Sequence, residues 1–196
     1  MTTATTPTSE LDAVNLMLSV IGESPISSLL DTAVVDAVVA KQILSEVSRT
    51  VQSPGWHFNI EKKFPLLPDA LTGEIKVPLN CIRVDTVYPD QDTDAVHRGT
   101  RLYDRRKHTY LFTKGLAVDM VVVLPFDELP ETARHYIAVR SARVFQARVV
   151  GSESLFSFSA EDEKEARRSF KKAEGATADH NMLTDSWSVA RTLQRT

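Results

Sequence analysis

The chain has 196 residues and a mass of 21.8 kDa, room for one domain of ordinary size or two small ones. At 42% hydrophobic and 25% charged, it excludes a disordered chain, a collagen-like fibre and a disulfide scaffold. Its net charge of −3 argues against a general nucleic-acid coat, and its single cysteine, Cys81, allows neither an internal disulfide nor a Cys-based zinc site.

The leader, residues 1–8, is Thr-rich and lacks the basic and apolar regions of a secretory signal, so the chain is expected to stay in a cytoplasm. No run approaches the roughly 18 apolar residues of a membrane span. The most apolar stretch, Met120 to Leu124, is strand-sized. Ser9 reads as an N-cap with Asp12 completing a capping box, and Leu11, Val14, Leu18 and Ile21 follow at helical spacing up to Gly22. After the Ser24-Pro25 break, a second helix is predicted from about Thr32 to Gln52. Its apolar stripe is Val35, Val39, Ile43, Val47 and Val51, its outer face Lys41, Glu46 and Arg49, and Ser53-Pro54-Gly55 ends it.

From Trp56 to Phe126 the period changes. Prolines and glycines punctuate short β-rich runs at Glu74–Val77, Cys81–Tyr88, Thr109–Phe112 and Leu116–Leu124. The connections are too short for crossover helices, so the pairing is predicted to be antiparallel. Helical spacing returns after Pro130, with Ala133, Ile137, Val144 and Val149 on the buried face and Gly151 beyond it. A last helix is predicted from Ser159, capped through Asp162 and stopped by Gly175. Acids lead it (Glu161, Asp162, Glu163, Glu165) and bases close it (Arg167, Arg168, Lys171, Lys172), matching the helix dipole.

Two helix pairs on either side of a β stretch imply that the pairs meet. The expected fold is α+β, an antiparallel four-helix bundle with an inserted antiparallel β domain and an extended C-terminal arm. The boundaries follow as a flexible leader 1–8, a first helix pair 9–55, a β-rich insertion 56–127, a second helix pair 128–175 and the arm 176–196.

Catalytic patterns are hard to find. Seven glycines form neither a Walker A nor a GxGxxG loop, and the five histidines (His57, His97, His108, His135, His180) are dispersed as ordinary polar residues. No nucleophile elbow is present. Cys81 lies in an apolar run and reads as a buried strand residue. Two acid groups, Asp90/Asp92/Asp94 and Asp127/Glu128/Glu131, have glycosidase composition, but a solvated loop and a helix N-terminus account for them. The run Arg101 to His108 is the one basic cluster containing an aromatic. It suits a nucleic-acid backbone, or, more simply, a solvated hairpin face. Trp56 and Phe58 fall where the bundle meets the insertion, as a packing plug. Trp187 sits in an arm with too few apolar residues to fold alone, so its burial calls for a partner.

Spread along nearly the whole chain is a set of residues that resembles the tail tubular protein A family, adaptors of short-tailed, autographivirus-like podophages. It runs through Leu11, Val14 and Asn15, Ile21-Gly22-Glu23 with Pro25, and Ile43-Leu44 with Arg49. The most specific block is Gln52-Ser53-x-Gly55-Trp56-x-Phe58-Asn59-Ile60-Glu61. It continues through Leu66-Leu67-Pro68-Asp69, Tyr103-Asp104-Arg105, Asp127-Glu128 with Pro130-Glu131, and Ala142-Arg143 with Phe145, Arg148 and Gly151. Glu165-Ala166-Arg167-Arg168 and Asn181-Met182-Leu183 complete it. The match is loosest in the middle β segment and in the last residues.

The resemblance implies a non-catalytic virion protein without cofactor or metal. It would form a twelve-copy ring between the portal protein and a tail nozzle of the tail tubular protein B type. That ring extends the channel through which genomic DNA passes without specific binding, with no membrane anchor, after assembly in the host cytoplasm. Portal attachment is assigned to the arm residues Asn181, Met182, Leu183 and Trp187, and the bundle-to-insert junction to Trp56, Phe58 and Asn59. The rivals are a tail-associated glycan hydrolase acting through paired carboxylates, and a nucleic-acid-binding module using Arg101, Arg105, Arg106 and Lys107.

Overall fold

In the computed structural model, residues 6–30, 34–151 and 153–177 are described, the stretch 153–159 by its backbone only. The Ser9 hydroxyl accepts the Asp12 amide at 3.1 Å, and the Asp12 carboxylate accepts the Ser9 amide at 3.0 Å, which closes the predicted capping box. The helix it opens, α1 (Glu10–Ser19), buries Ala13, Val14, Met17 and Leu18. The Asn15 side chain then brackets Ile26, donating to its carbonyl at 3.1 Å and accepting its amide at 2.9 Å, and so fixes the link past Pro25.

The second helix, α2 (Val35–Gln52), buries Ile43, Val47 and Val51 of the predicted stripe, but Val35 is 72% exposed, so that stripe begins later than its pattern suggests. A short 3-10 turn at His57–Asn59 leads into β1 (Ile60–Leu66), followed by β2 (Cys81–Thr86), β3 (Ala95–Arg98), β4 (Arg101–Asp104) and β5 (Leu116–Val122). A second 3-10 turn, Phe126–Glu128, precedes α3 (Glu131–Val149), and α4 (Glu153–Thr177) follows.

The strands form two antiparallel sheets, β1-β5-β2 and the hairpin β3-β4. Pairing of β1 with β5 breaks at a bulge between Glu61 and Phe64, where Lys63 takes φ +52° and its amide donates to the Asp119 carboxylate at 2.8 Å. Of the predicted strands, Cys81–Tyr88 and Leu116–Leu124 correspond to β2 and β5. The Glu74–Val77 and Thr109–Phe112 runs make only isolated bridges.

The α+β class is found, but a four-helix bundle with an inserted domain is not. Helix α3 is the hub, packing against α1, α2 and α4, whereas α4 leans chiefly on α3. The reason lies in α4 itself: among its described residues only Ala166, Phe170 and Glu174 are buried, a stripe too narrow to serve two helices. The strands enclose a core of their own. Leu124 packs against both the helical core and the strand core.

Two further corrections concern helix ends. Ser159 is not the N-cap of α4, which begins at Glu153, and Gly175 does not stop it, since the helix continues to Thr177. A glycine within a helix costs about 1 kcal/mol, too little to end one by itself. In α3, Val149 is 45% exposed and Phe145, not Val144, is fully buried. That helix is covered on several sides, so a single 3.6-residue stripe understates its buried face.

Candidate functional site

The densest convergence of side chains lies where α2 ends and the strands begin. Ser53 closes α2 and Gly55 turns the chain with φ +85°; a Cβ there would stand 3.0 Å from both Arg83 Nη2 and Val121 Cγ2. Only glycine suits that conformation and that space. Asn59, 1% exposed, accepts the Trp56 amide at 2.7 Å. It also donates to the carbonyls of Gln52 at 3.0 Å and Val122 at 2.9 Å. Gln52, fully buried, pairs with both backbone groups of Leu124, donating to its carbonyl at 3.0 Å and accepting its amide at 2.8 Å. Two buried amides therefore stitch the end of α2 to the end of β5, and every bond satisfies a group that burial would otherwise penalise.

Aromatic rings extend this seam to the last helix. Trp56 meets Phe170 edge-on at 4.5 Å, Tyr136 stacks on Phe170 at 5.7 Å, and Phe58 lies 6.3 Å from it. The Trp56 indole N–H donates to the Val51 carbonyl at 2.6 Å. Glu174 accepts the His57 backbone amide at 2.9 Å; burial pushes its carboxyl up from the ordinary range, and the His57 hydrogen bond partly offsets this.

The structure thus brings Trp56, Phe58 and Asn59 together. Gln52, Tyr136, Phe170 and Glu174 share that seam, and the motif reading gave none of these four a role in it. Gln52 carried a signal, as a polar residue beside Val51 on the buried face of α2. The proposed portal-binding residues Asn181, Met182, Leu183 and Trp187, with His180, lie outside the described residues. So does the arm they belong to, except that α4 takes up residues 176 and 177.

The two acid groups are engaged structurally. Asp90, 6% exposed, pairs with Lys114 at 2.5 Å and accepts the Ala117 amide at 3.0 Å. The Lys114 ammonium, before the amide, holds this carboxyl below the usual range. Asp94 faces Arg105 at 3.7 Å, and the Asp92 carbonyl accepts from Arg106 at 2.7 Å. Glu131 receives the Thr8 amide and hydroxyl at 2.8 and 2.6 Å, and Arg134 joins the Asp127 carbonyl. Among the described residues no group of three His, Cys, Asp or Glu side chains is placed to hold a metal ion. Cys81 is buried at the start of β2, and burial raises its thiol pKa, opposite to what a nucleophile needs.

The basic cluster is a cross-braced hairpin. Arg98 lies 3.7 Å over the Tyr103 ring, Arg101 lies 4.5 Å over Tyr110, and the two rings meet edge-on at 4.9 Å. Arg101 pairs with Glu74, and Asp104 accepts the amides of Arg106 and Lys107 at 2.9 Å each. Acids interleaved at this spacing cancel much of the field that phosphate binding requires.

Compared with known proteins, the chain matches the family described as tail tubular protein over residues 11–180. It is also 30% identical over 156 residues to tail tubular protein A of Klebsiella phage KP34, an alignment covering 79% of this chain and 81% of that one.

Proposed function

The chain belongs to the tail tubular protein family and is a structural component of a phage tail, and on that premise we propose that it is the adaptor joining the portal to the tail nozzle. Copies pack head to tail into a closed ring, proposed to have twelve members, that carries the DNA channel onward. The observation that carries this reading is the family match across residues 11–180, which takes in almost every described element. A ring wall needs rigid subunits, and the stitched seam between α2 and β5 supports that demand. A net charge of −3 suits a channel that DNA crosses without being retained by counterion release.

The adaptor works without catalysis, cofactor or metal, and assembles in the host cytoplasm. Asn181, Met182, Leu183 and Trp187 attach it to the portal, because Met182, Leu183 and Trp187 are apolar anchors in an otherwise polar tail. Trp56, Phe58 and Asn59 form the junction that fixes the β-rich stretch, 56–127, against the helices. That stretch faces the nozzle or the neighbouring copies.

Native mass spectrometry of the full chain, alone and with the portal of its own phage, tests the reading. A ring of defined copy number on the portal is expected, and a chain that ignores the portal would overturn the adaptor role. Leu183→Ala with Trp187→Ala should weaken portal capture without unfolding the helices; full capture would remove the arm from the assignment.

A further inference from the structure

Helices α1, α3 and α4 leave between them an open groove of about 620 Å3. Its apolar lining is Leu16 and Val20 of α1, Val139 and Ala142 of α3, and Ala166 of α4. Leu16 and Val20 remain 39% and 38% exposed, although Ala13, Val14, Met17 and Leu18 around them are fully buried. Asp162 and Glu165 of α4 also line the groove and are exposed. Arg143 in the lining is held by Glu163, and Glu165 faces Arg168 at 3.5 Å. Asp162 joins no ion pair among the described residues, so the groove combines an apolar surface with a carboxylate left to solvent.

The complementary features gather on a loop of the strand part. Leu71 is 97% exposed, yet its turn is closely held. The Asp69 amide donates to the Glu74 carbonyl at 2.9 Å, the Gly73 amide to the Asp69 carbonyl at 2.8 Å, and the Leu71 amide to the Asp69 carboxylate at 3.0 Å. The Phe112 amide donates to the Gly73 carbonyl at 2.8 Å and brings the exposed Leu111 alongside, its Cδ2 3.7 Å from where a Cβ would stand at Gly73. The Thr72 and Leu71 hydrogen bonds, and then the charge of the exposed Lys76, hold the Asp69 carboxyl low, so Lys76 stands close to this turn. The acids here are already engaged, Asp69 by those amides and Glu74 by Arg101. An apolar tip on a fixed turn beside a cation thus matches an apolar groove beside a carboxylate. Ala142 and Ala166 of the groove belong to the helical core, whereas Ile75 and Phe112 next to the tip belong to the strand core. Two different, complementary surfaces on one chain are what a head-to-tail contact requires, while a two-fold contact requires a surface that complements itself.

We propose that the groove of one copy receives the Leu71 and Leu111 tip of the next copy, with Lys76 of the second set against Asp162 of the first. The proposal rests on the head-to-tail ring and names the two surfaces that meet in it. It turns the strand part towards the neighbouring copy.

The full-length chain carrying Leu16→Cys and Leu71→Cys together tests this, assembled on the portal and treated with a short bis-maleimide. The native Cys81 is buried, and the unaltered chain is the control. A ladder of covalent multimers beyond the dimer is expected, with position 16 of one copy joined to position 71 of another, and neither change alone should link copies. A ring of full mass that yields no ladder would overturn the docking and leave the ring standing. Absence of any ring in native mass spectrometry would overturn the ring reading, and the docking with it. Links from position 71 to position 71, or from position 16 to the portal, would equally overturn the docking. Charge gives a second readout that needs no probe. Asp162→Lys should lower the yield of rings about tenfold at low salt, and adding Lys76→Glu to the same chain should restore it. An unchanged yield, or no restoration, would count against the proposal.

Discussion

The helices bury their core through repeating apolar faces, with α3 shared among three neighbours and Phe145 and Phe170 wholly enclosed. The strands enclose a smaller core around Ile75, Leu102, Leu116 and Val118, and much of the chain between them is loop. Those loops are held by aspartate side chains. Asp69 accepts the amides of Leu71 and Thr72 at 3.0 and 2.9 Å, Asp90 takes Lys114 and Ala117, and Asp104 takes Arg106 and Lys107. The Thr72 and Leu71 amides hold the Asp69 carboxyl below the usual range, as Lys114 does for Asp90. The helical part holds lowered carboxyls too, Asp12 under its Ser9 hydrogen bonds and Glu46 beside Arg148, but both are exposed, whereas Asp90 is buried among the strands. Charge therefore weighs more in the strand part. Acid should loosen the strands first.

The largest effect that would test this contrast is at Phe170. Phe170→Ala removes the ring that Trp56, Phe58 and Tyr136 surround and should cost about 3–5 kcal/mol in urea unfolding, with a change in Trp56 fluorescence. A loss below about 1 kcal/mol would mean that α4 is not part of the helical core. Asn59→Ala attacks the seam that joins the two parts. It leaves the Gln52 and Val122 carbonyls without their buried donor and should cost about 2–4 kcal/mol. Helix signal and strand signal should then separate on heating, and a single sharp transition would show that the parts are coupled by something other than this amide.

Helices were legible in the sequence because a 3.6-residue period survives local detail. Ser9, Asp12 and Gly22 mark α1, and Ile43, Val47 and Val51 mark α2. Among the strands, β5 was legible through its heavy burial and β2 through its half-buried run of Ile82, Val84 and Thr86. β1 was missed because Glu61, Lys62 and Lys63 break its alternation at a bulge on a sheet edge, and β3 and β4 because four residues each are too few to show a period. The bundle failed for a different reason. Counting helices says nothing about how wide each apolar face is, and α4 has one buried residue where a bundle helix needs two abreast. Trp56, Phe58 and Asn59 stood out by type and spacing. Phe170 and Glu174, more than a hundred residues away in the chain, could be joined to them only by the fold.

A smaller effect sharpens the charge side of the comparison. Asp90→Ala loses the Lys114 pair and leaves the Ala117 amide unpaired, at a cost of about 1–3 kcal/mol near neutral pH. The folded carboxyl titrates below its unfolded value, so its contribution is present above the unfolded pKa and is lost as pH falls through the folded one. The deficit of the variant should therefore shrink towards zero in acid. A deficit that stays constant with pH would mean that Asp90 acts by shape alone.

Glu174 differs from the other shifted carboxyls of the helical part, Asp12 and Glu46, because its sign is reversed. Burial raises its folded pKa, so the ionised form is the penalised one, and its contribution falls as pH rises through that folded value. Glu174→Gln keeps an acceptor for the His57 amide and removes the penalty, and it should stabilise the chain by up to about 1 kcal/mol at neutral pH. Below the carboxylate range the two proteins should converge, because Glu174 is then protonated in both the folded and the unfolded state. A variant less stable than the parent at neutral pH would show that the carboxylate charge is needed there. Acid would then loosen the α4 seam together with the strands, and the contrast between the two parts would reduce to one of packing alone.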